Sequence, residues 1–178
     1  MDLQPTLSGP TVLLRPIALE DFAALYAVAS DPELWALHPA TDRWEEAKFR
    51  KYFEAELMRG GGLAMIEQAS DRIIGGSCYS LDGRAPGEVE IGWTFLAREH
   101  WGGATNREVK HLMIGHALKS FERVVFRVAE TNARSRAALV KIGAALSDRT
   151  EVANVGGRSI THVVYAIERD APIAREAG

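Results

Sequence analysis

The chain has 178 residues, of which 47% are hydrophobic and 25% charged, and a formal net charge of −3. That is enough for one well-buried domain and short for two. The charge balance offers no basic footprint for a nucleic-acid backbone, and the single cysteine, Cys78, excludes an intrachain disulfide framework. No basic segment followed by an apolar run opens the chain, and no apolar run approaches membrane-span length. A soluble cytoplasmic protein, with neither membrane nor nucleic acid as partner, is therefore the expectation.

Residues 1–10 contain Pro5, Gly9 and Pro10 and read as an extended lead-in. Residues 11–15 (TVLLR) form a short apolar strand stopped by Pro16. A helix over 19–30 places Phe22, Leu25, Tyr26 and Ala29 on one face and ends at Ser30-Asp31-Pro32. After a mixed loop at 33–43, a second helix over 44–58 carries Phe49, Phe53 and Leu57 at helical spacing. Thr41 or Asp42 is its expected cap, and Gly60-Gly61-Gly62 closes it. Three strands follow, over 63–68, 72–81 and 88–96. Gly75-Gly76 in the second predicts a bulge or a close backbone approach. Cys78, in the same strand, reads as buried filler rather than a nucleophile, because no base or helix N-terminus is evident beside it.

The segment from 88 to 121 organises the rest. Val89, Ile91, Trp93 and Phe95 alternate with Glu88, Glu90, Gly92 and Thr94, the period of a half-buried strand. A turn, Trp101-Gly102-Gly103-Ala104-Thr105-Asn106, leads into a helix whose stripe is Val109, Leu112, Met113, Ala117, Leu118 and Phe121. Thr105 and Glu108 are spaced as a capping box, which starts this helix near Asn106. The first N–H groups of a helix lack internal partners and carry partial positive charge, and glycines before them let an anion approach. Arg98 and Arg107 flank the turn, and Lys110 lies one turn on. The turn is a candidate phosphate cradle; a plain strand-to-helix connection is the alternative. A P-loop needs Lys-Ser or Lys-Thr after its last glycine, and a dinucleotide loop needs spaced glycines. Neither pattern is present.

A strand over 123–128 follows. Asn132 then caps a helix with Ala138, Leu139 and Ile142 on its apolar face and Gly143 as its stop. Residues 144–152 and 159–168 read as a closing hairpin around 154–158, and 169–178 as a charged tail that frays. The order β-αα-βββ-α-β-α-ββ predicts a single α/β (α+β) domain. Its sheet is mixed and mostly antiparallel, of six to seven strands, with helices on both faces.

This order, with two of its segments, resembles the GNAT superfamily of acetyl-CoA-dependent N-acetyltransferases, most of all the Rim-type branch that acetylates ribosomal-protein N-termini. The resemblance covers about residues 10–168. The turn is similar to the W-G-x-G-x-A of that branch, with Ala104 in place of the second glycine and Asn106 in place of the usual Gly or Ala. Backbone donation survives an alanine there if its φ is negative. Asn132-Ala133-Arg134-Ser135, followed by Lys141-Ile142-Gly143, matches the family's N-x-x-S and K-x-G, and Leu14-Arg15-Pro16 followed by Glu20-Asp21 matches its opening.

The resemblance implies transfer of an acetyl group from acetyl-CoA to a primary amine, either a protein N-terminus or a small molecule, in a ternary complex. A non-catalytic acyl-CoA-binding or regulatory module on the same fold is the alternative. By the same resemblance, the backbone of Trp93, Thr94, Phe95 and Leu96 would pair with the pantetheine arm. The turn from Arg98 through Trp101, Gly102, Gly103, Ala104, Thr105, Asn106 and Arg107 would hold the pyrophosphate. Asn132 and Ser135 would flank the thiol, with Ser135 as proton donor; as plain residues they are a cap and a first-turn position. Glu90 and Glu88, on one face of the central strand and opposite Trp93, are the candidate bases, with Glu151 and His162 as rivals. Trp35 and His38 would wall the acceptor pocket. No spacing resembles a metal site. Dimerisation through exposed strands or helices is compatible with the sequence.

Overall fold

The computed structural model describes residues 1–155 and 157–170. One sheet of eight strands runs through it in the order β1-β2-β3-β4-β5-β6-β8-β7. The strands are β1 (Leu7–Ser8), β2 (Val12–Pro16), β3 (Gly62–Glu67), β4 (Arg72–Ser80), β5 (Glu88–Leu96), β6 (Arg123–Ala129), β7 (Ala145–Val155) and β8 (Arg158–Glu168). Every pairing is antiparallel except β5 with β6. The mixed, mostly antiparallel sheet is thus as expected, with one strand more than the predicted six to seven. That extra strand, β1, comes from the lead-in and pairs Leu7 with Leu14 and Ser8 with Leu13.

The helices are α1 (Phe22–Ala29), α2 (Glu46–Tyr52), α3 (Thr105–Ala117) and α4 (Ala133–Lys141). A 3-10 turn, Leu19–Asp21, precedes α1, and a π-helical turn, Phe53–Leu57, extends α2. Glu45 rather than Thr41 or Asp42 occupies the N-cap of α2. Among the described residues no helix is long and apolar enough to cross a membrane. The predicted tail lies, from residue 171 on, outside the described residues.

Two hydrophobic cores sit on the two faces of the sheet. One joins Val12, Leu14, Val89, Ile91, Val124 and Phe126 to Val109, Met113 and Ile114 of α3. The other joins Leu25 of α1 and Phe49 and Phe53 of the α2 segment to Trp35, Cys78 and Phe95. Cys78 is filler, as the sequence predicts: it is buried, and burial pushes its thiol up to about 12.

The predicted alternation of β5 fails at its centre. Val89 and Ile91 belong to the α3-side core, but Phe95 belongs to the α1–α2 core, and Trp93 packs against that core too. A β-bulge causes the switch. Cys78 pairs with Gly92 and Gly76 with Phe95, so Trp93 and Thr94 together oppose Ser77 alone. Trp93 has φ +53, an uncommon conformation for a residue with a bulky side chain. The bulge also reverses one expectation: Trp93 shares a face with Glu88 and Glu90 instead of lying opposite them.

The capping box at α3 does not form either. The Glu108 carboxylate instead receives the backbone N–H of Thr11 (2.8 Å) and of Val12 (3.0 Å) and the Thr11 hydroxyl (2.5 Å). It ties the start of β2 to α3 rather than capping its own helix, and Ala104 takes the N-cap position.

Candidate active site

Parallel strands β5 and β6 pair only through Glu88–Arg123, Val89–Val124 and Glu90–Val125. Beyond that point the bulge carries β5 away while β6 continues to Ala129 along β8. The two strands splay, and a cavity of about 250 Å³ opens between them. Ile91 to Leu96 line one wall, and Phe126 to Ala129 line the other. A fork in a sheet leaves two strand edges without ladder partners, and such edges accept an extended ligand by backbone pairing.

Each end of the β5 wall is braced by an aromatic side chain. The Tyr52 hydroxyl donates to the Trp93 carbonyl at 2.8 Å, and the Trp101 indole N–H donates to the Leu96 carbonyl at 2.9 Å. Between them, Phe95 buries its ring among Trp35, Phe49 and Tyr52 while its backbone faces the cavity. Thr94 turns its hydroxyl toward α3, where Lys110 donates to it at 2.6 Å.

By sequence Lys110 lies one turn beyond the phosphate turn. The structure places it elsewhere: it points under the bulge and lines the cavity, with its Nζ 3.4 Å from the Ser77 hydroxyl and 5.9 Å from the Phe126 ring centroid. No carboxylate pairs with it among the described residues. Burial, with nothing to offset it but the distant Cys78, pulls its pKa down to about 7. Sequence inspection missed this role because the charged face and the buried face of α3 overlap at one residue. The only hint was that Lys110 sits next to the stripe residue Val109.

The turn before α3 is built as the sequence predicts, with one position decided by the fold. Gly102 has φ +73, the left-handed region that favours glycine. Ala104 has φ −75 and ψ −22, ordinary helical values, so the alanine that replaces a glycine brings no backbone strain. Among the described residues, the backbone N–H groups of residues 102–107 make no hydrogen bond, the first internal one being Glu108 N–H to the Ala104 carbonyl. Trp101 and Asn106 line the cavity. Gly102, Gly103, Ala104 and Arg107 are exposed and Thr105 is half-buried. Arg98 is engaged with Asp31 at 2.8 Å. Arg134, absent from the sequence-derived site, stacks its guanidinium over Trp101 at 4.1 Å and donates to the Leu34 carbonyl at 2.7 Å.

Asn132 and Ser135 both line the cavity. Asn132 caps α4 by accepting the Ser135 N–H at 3.1 Å, so the cap reading and a place in the site coexist. Among the described residues, its amide nitrogen and the Ser135 hydroxyl make no hydrogen bond.

The carboxylates lie apart from this lining. Glu88 is buried and held by Arg149 at 2.7 Å and Arg123 at 3.1 Å. Burial would raise its pKa, but these arginines and the Ala85 N–H outweigh that and hold it below the usual range. Glu90 is buried behind Gly92, bonded to Arg127 at 2.9 Å and 3.6 Å from Arg84. Here burial dominates and raises the pKa despite both arginines. Glu151 bridges Arg84 and Arg127, both at 3.2 Å. No Asp or Glu belongs to the cavity lining, whereas Arg43, Lys110, Arg127 and Arg134 do. His38 and His162 also line it. Burial, then Arg43 and His162, pull His38 down to about 3, and burial lowers His162, so neither adds charge at neutral pH.

A forked sheet with a glycine turn at a helix start beside the fork suits an extended ligand with an anionic end. The chain belongs to the GNAT acetyltransferase family: the acetyltransferase (GNAT) domain model matches residues 11–145. That family uses acetyl-CoA. The chain is similar in fold to a GCN5-related N-acetyltransferase from Brucella melitensis, at 18% identity and TM-score 0.80 over 93% of this chain and 79% of that one. Two similar structures come from the Rim branch. One is the ribosomal-protein-S5-alanine acetyltransferase of Vibrio fischeri, at 18% identity and TM-score 0.67, covering 93% and 97% of the two chains. The other is Mycobacterium smegmatis RimJ in complex with CoA-disulfide, at 20% and 0.66, covering 93% and 86%. Rim-type proteins thus stand among the structural neighbours beside other GNAT proteins.

Proposed function

We propose that the protein transfers an acetyl group from acetyl-CoA to a primary amine, both substrates meeting in the fork between β5 and β6. The observation that carries this reading is the ladder that stops at Glu90–Val125, beside a turn whose amides are unpaired. The N–H groups of residues 102–107, at the positive end of α3, receive the pyrophosphate, and Arg107 adds charge there. The β5 wall from Trp93 to Leu96 offers its edge to the amides of the pantetheine arm. The Asn132 amide nitrogen and the Ser135 hydroxyl flank the sulfur.

Acetyl-CoA brings an activated carbonyl and a thiolate leaving group; the amine nitrogen forms the new bond to carbon as the carbon–sulfur bond breaks. Ser135 donates the proton that the departing sulfur takes and is reprotonated by the proton the attacking amine loses, so that the step balances as amide plus thiol. The amine must enter neutral, against an ordinary pKa of roughly 8 to 10. A cavity lined by Arg43 and Arg134, neither paired with a carboxylate among the described residues, and by no carboxylate favours that neutral form, because like charge disfavours an ammonium. Glu90, paired with Arg127 and outside the cavity lining, orients that arginine rather than meeting the amine. Glu88, pinned by two arginines below the fork, serves structure.

Thermal unfolding with acetyl-CoA, beside ATP as control, tests the binding half. Ligand at about 100 times its dissociation constant stabilises by about 2.7 kcal/mol, a rise of about 5–10 °C for a domain of this size. No rise with acetyl-CoA, or an equal rise with ATP, rejects the site. A rise without transfer to any amine leaves an acyl-CoA-binding module.

A further inference from the structure

The end of the cavity away from the phosphate turn holds a guanidinium with no carboxylate partner among the described residues. Arg43, on the loop before α2, packs over Tyr52, with its guanidinium carbon 4.2 Å from the ring centroid and 5.5 Å from that of Trp35. Its polar contact is with the neutral His38 ring at 3.3 Å, and among the described residues no carboxylate pairs with it. Tyr52 holds the Trp93 carbonyl, so Arg43 stands at the bulge end of the β5 wall. The phosphate turn is braced at Leu96, the other end, where Arg134 stacks on Trp101. Apart from Lys110, held beneath the bulge by the Thr94 and Ser77 hydroxyls, the remaining charges around this mouth are committed elsewhere. Arg127 is held by Glu90 and Glu151, Glu151 by Arg84 and Arg127, and Arg158 donates to the Pro39 carbonyl. A half-buried guanidinium with donors to spare, stacked on an aromatic floor, is suited to a planar carboxylate.

Resting on the acetyl-transfer reading, we propose that the acceptor is a primary amine that also carries a carboxylate, and that Arg43 binds that carboxylate. Polyamines and other purely cationic acceptors are disfavoured by the same lining. A free amino acid and a peptide N-terminus followed by an acidic residue share this chemistry, and the experiment separates them.

The test measures acetyl transfer from acetyl-CoA to the proteinogenic amino acids as free acids, to their amides, to spermidine, and to short peptides with Glu or Gln second. Charge-assisted hydrogen bonds predict a preference of about 10- to 100-fold in kcat/KM for the carboxylate-bearing member of a pair. Preference among the free acids assigns an amino acid; preference for the Glu peptides assigns a peptide. Arg43→Gln should erase the preference by raising the acceptor KM, leaving the KM for acetyl-CoA within about twofold, and Arg43→Lys should restore part of it. Equal use of acids and amides, a preference for spermidine, or a change confined to the acetyl-CoA KM overturns the proposal. If no amine is acetylated although acetyl-CoA binds, the transfer reading fails, and the arginine is judged by calorimetric titration of the same acids into the CoA-saturated protein. Binding lost in Arg43→Gln supports it; no binding of any acid rejects it.

Discussion

Lys110 shows what one buried charge costs. Its ammonium sits under the bulge with two hydroxyls and an aromatic ring for company and no anion. Its folded pKa is about 7 against 10.5 for the free side chain, so between those values the unfolded chain binds more protons than the folded one. Stability must then rise with pH across that interval, and the cost of burial, a few kcal/mol in order of magnitude, is fully felt only below about pH 7. Lys110→Met removes this dependence. The variant should be more stable than the wild type at pH 6, and the gap should close by pH 10, as measured by urea unfolding at both values. A gap that does not change with pH would show that Lys110 keeps an ordinary pKa.

Among the elements, α3 carries the most assignments. Its first turn presents the amides of the phosphate turn, its inner face packs Val109, Met113 and Ile114 into one core, and Glu108 fastens the start of β2. Three donors converge on one carboxylate there, which lowers its pKa although partial burial opposes this. The stabilisation is present above the ordinary glutamate pKa of about 4.3 and is lost as pH falls through the lowered folded value. Glu108→Ala should cost about 1–3 kcal/mol at pH 7 by leaving the Thr11 and Val12 amides without their acceptor, a fall of about 2–12 °C in Tm. Calorimetry at pH 7 and pH 3 checks both the size and its disappearance in acid. Because Glu108 faces β2 and not the cavity, the variant should keep its affinity for acetyl-CoA.

Across the whole molecule, the fork divides the sheet into two sets of strands joined by a ladder of only three residue pairs. The β1–β5 side carries the Tyr52, Trp93 and Lys110 end of the site, and the β6–β8 side carries Arg127, Asn132 and Ser135. A ligand lying in the fork is within reach of both. Acetyl-CoA should therefore slow amide hydrogen exchange in residues 91–96 and in residues 126–129 together, although these segments do not pair with each other in the free protein. Protection confined to the turn at 101–107 would mean that only the phosphate end of the ligand is held.

Much of this was legible in the residues themselves. Periodicity placed the helices and the long strands, since burying one face of an element writes its repeat into the sequence. The Gly102 turn, the Asn132 cap and the Cys78 filler also read correctly, because each is a local matter of backbone conformation or apolar volume. What went astray depended on partners distant in the chain. Glu108 looked like a cap until Thr11 and Val12 arrived as better donors. Strand β5 looked regular, but the bulge opposite Ser77 turns Trp93 and Phe95 to the other core. The sequence offers Glu88 and Glu90 as candidate bases but not the four arginines, from the β4–β5 loop, β6 and β7, that pair with them. Sequence alone determined the elements, their order and the family resemblance, because these rest on short-range patterns. Only the tertiary structure decided which charges are spent on each other and which, like Arg43 and Lys110, face the cavity with no anion of their own, because pairing is set by distance in space.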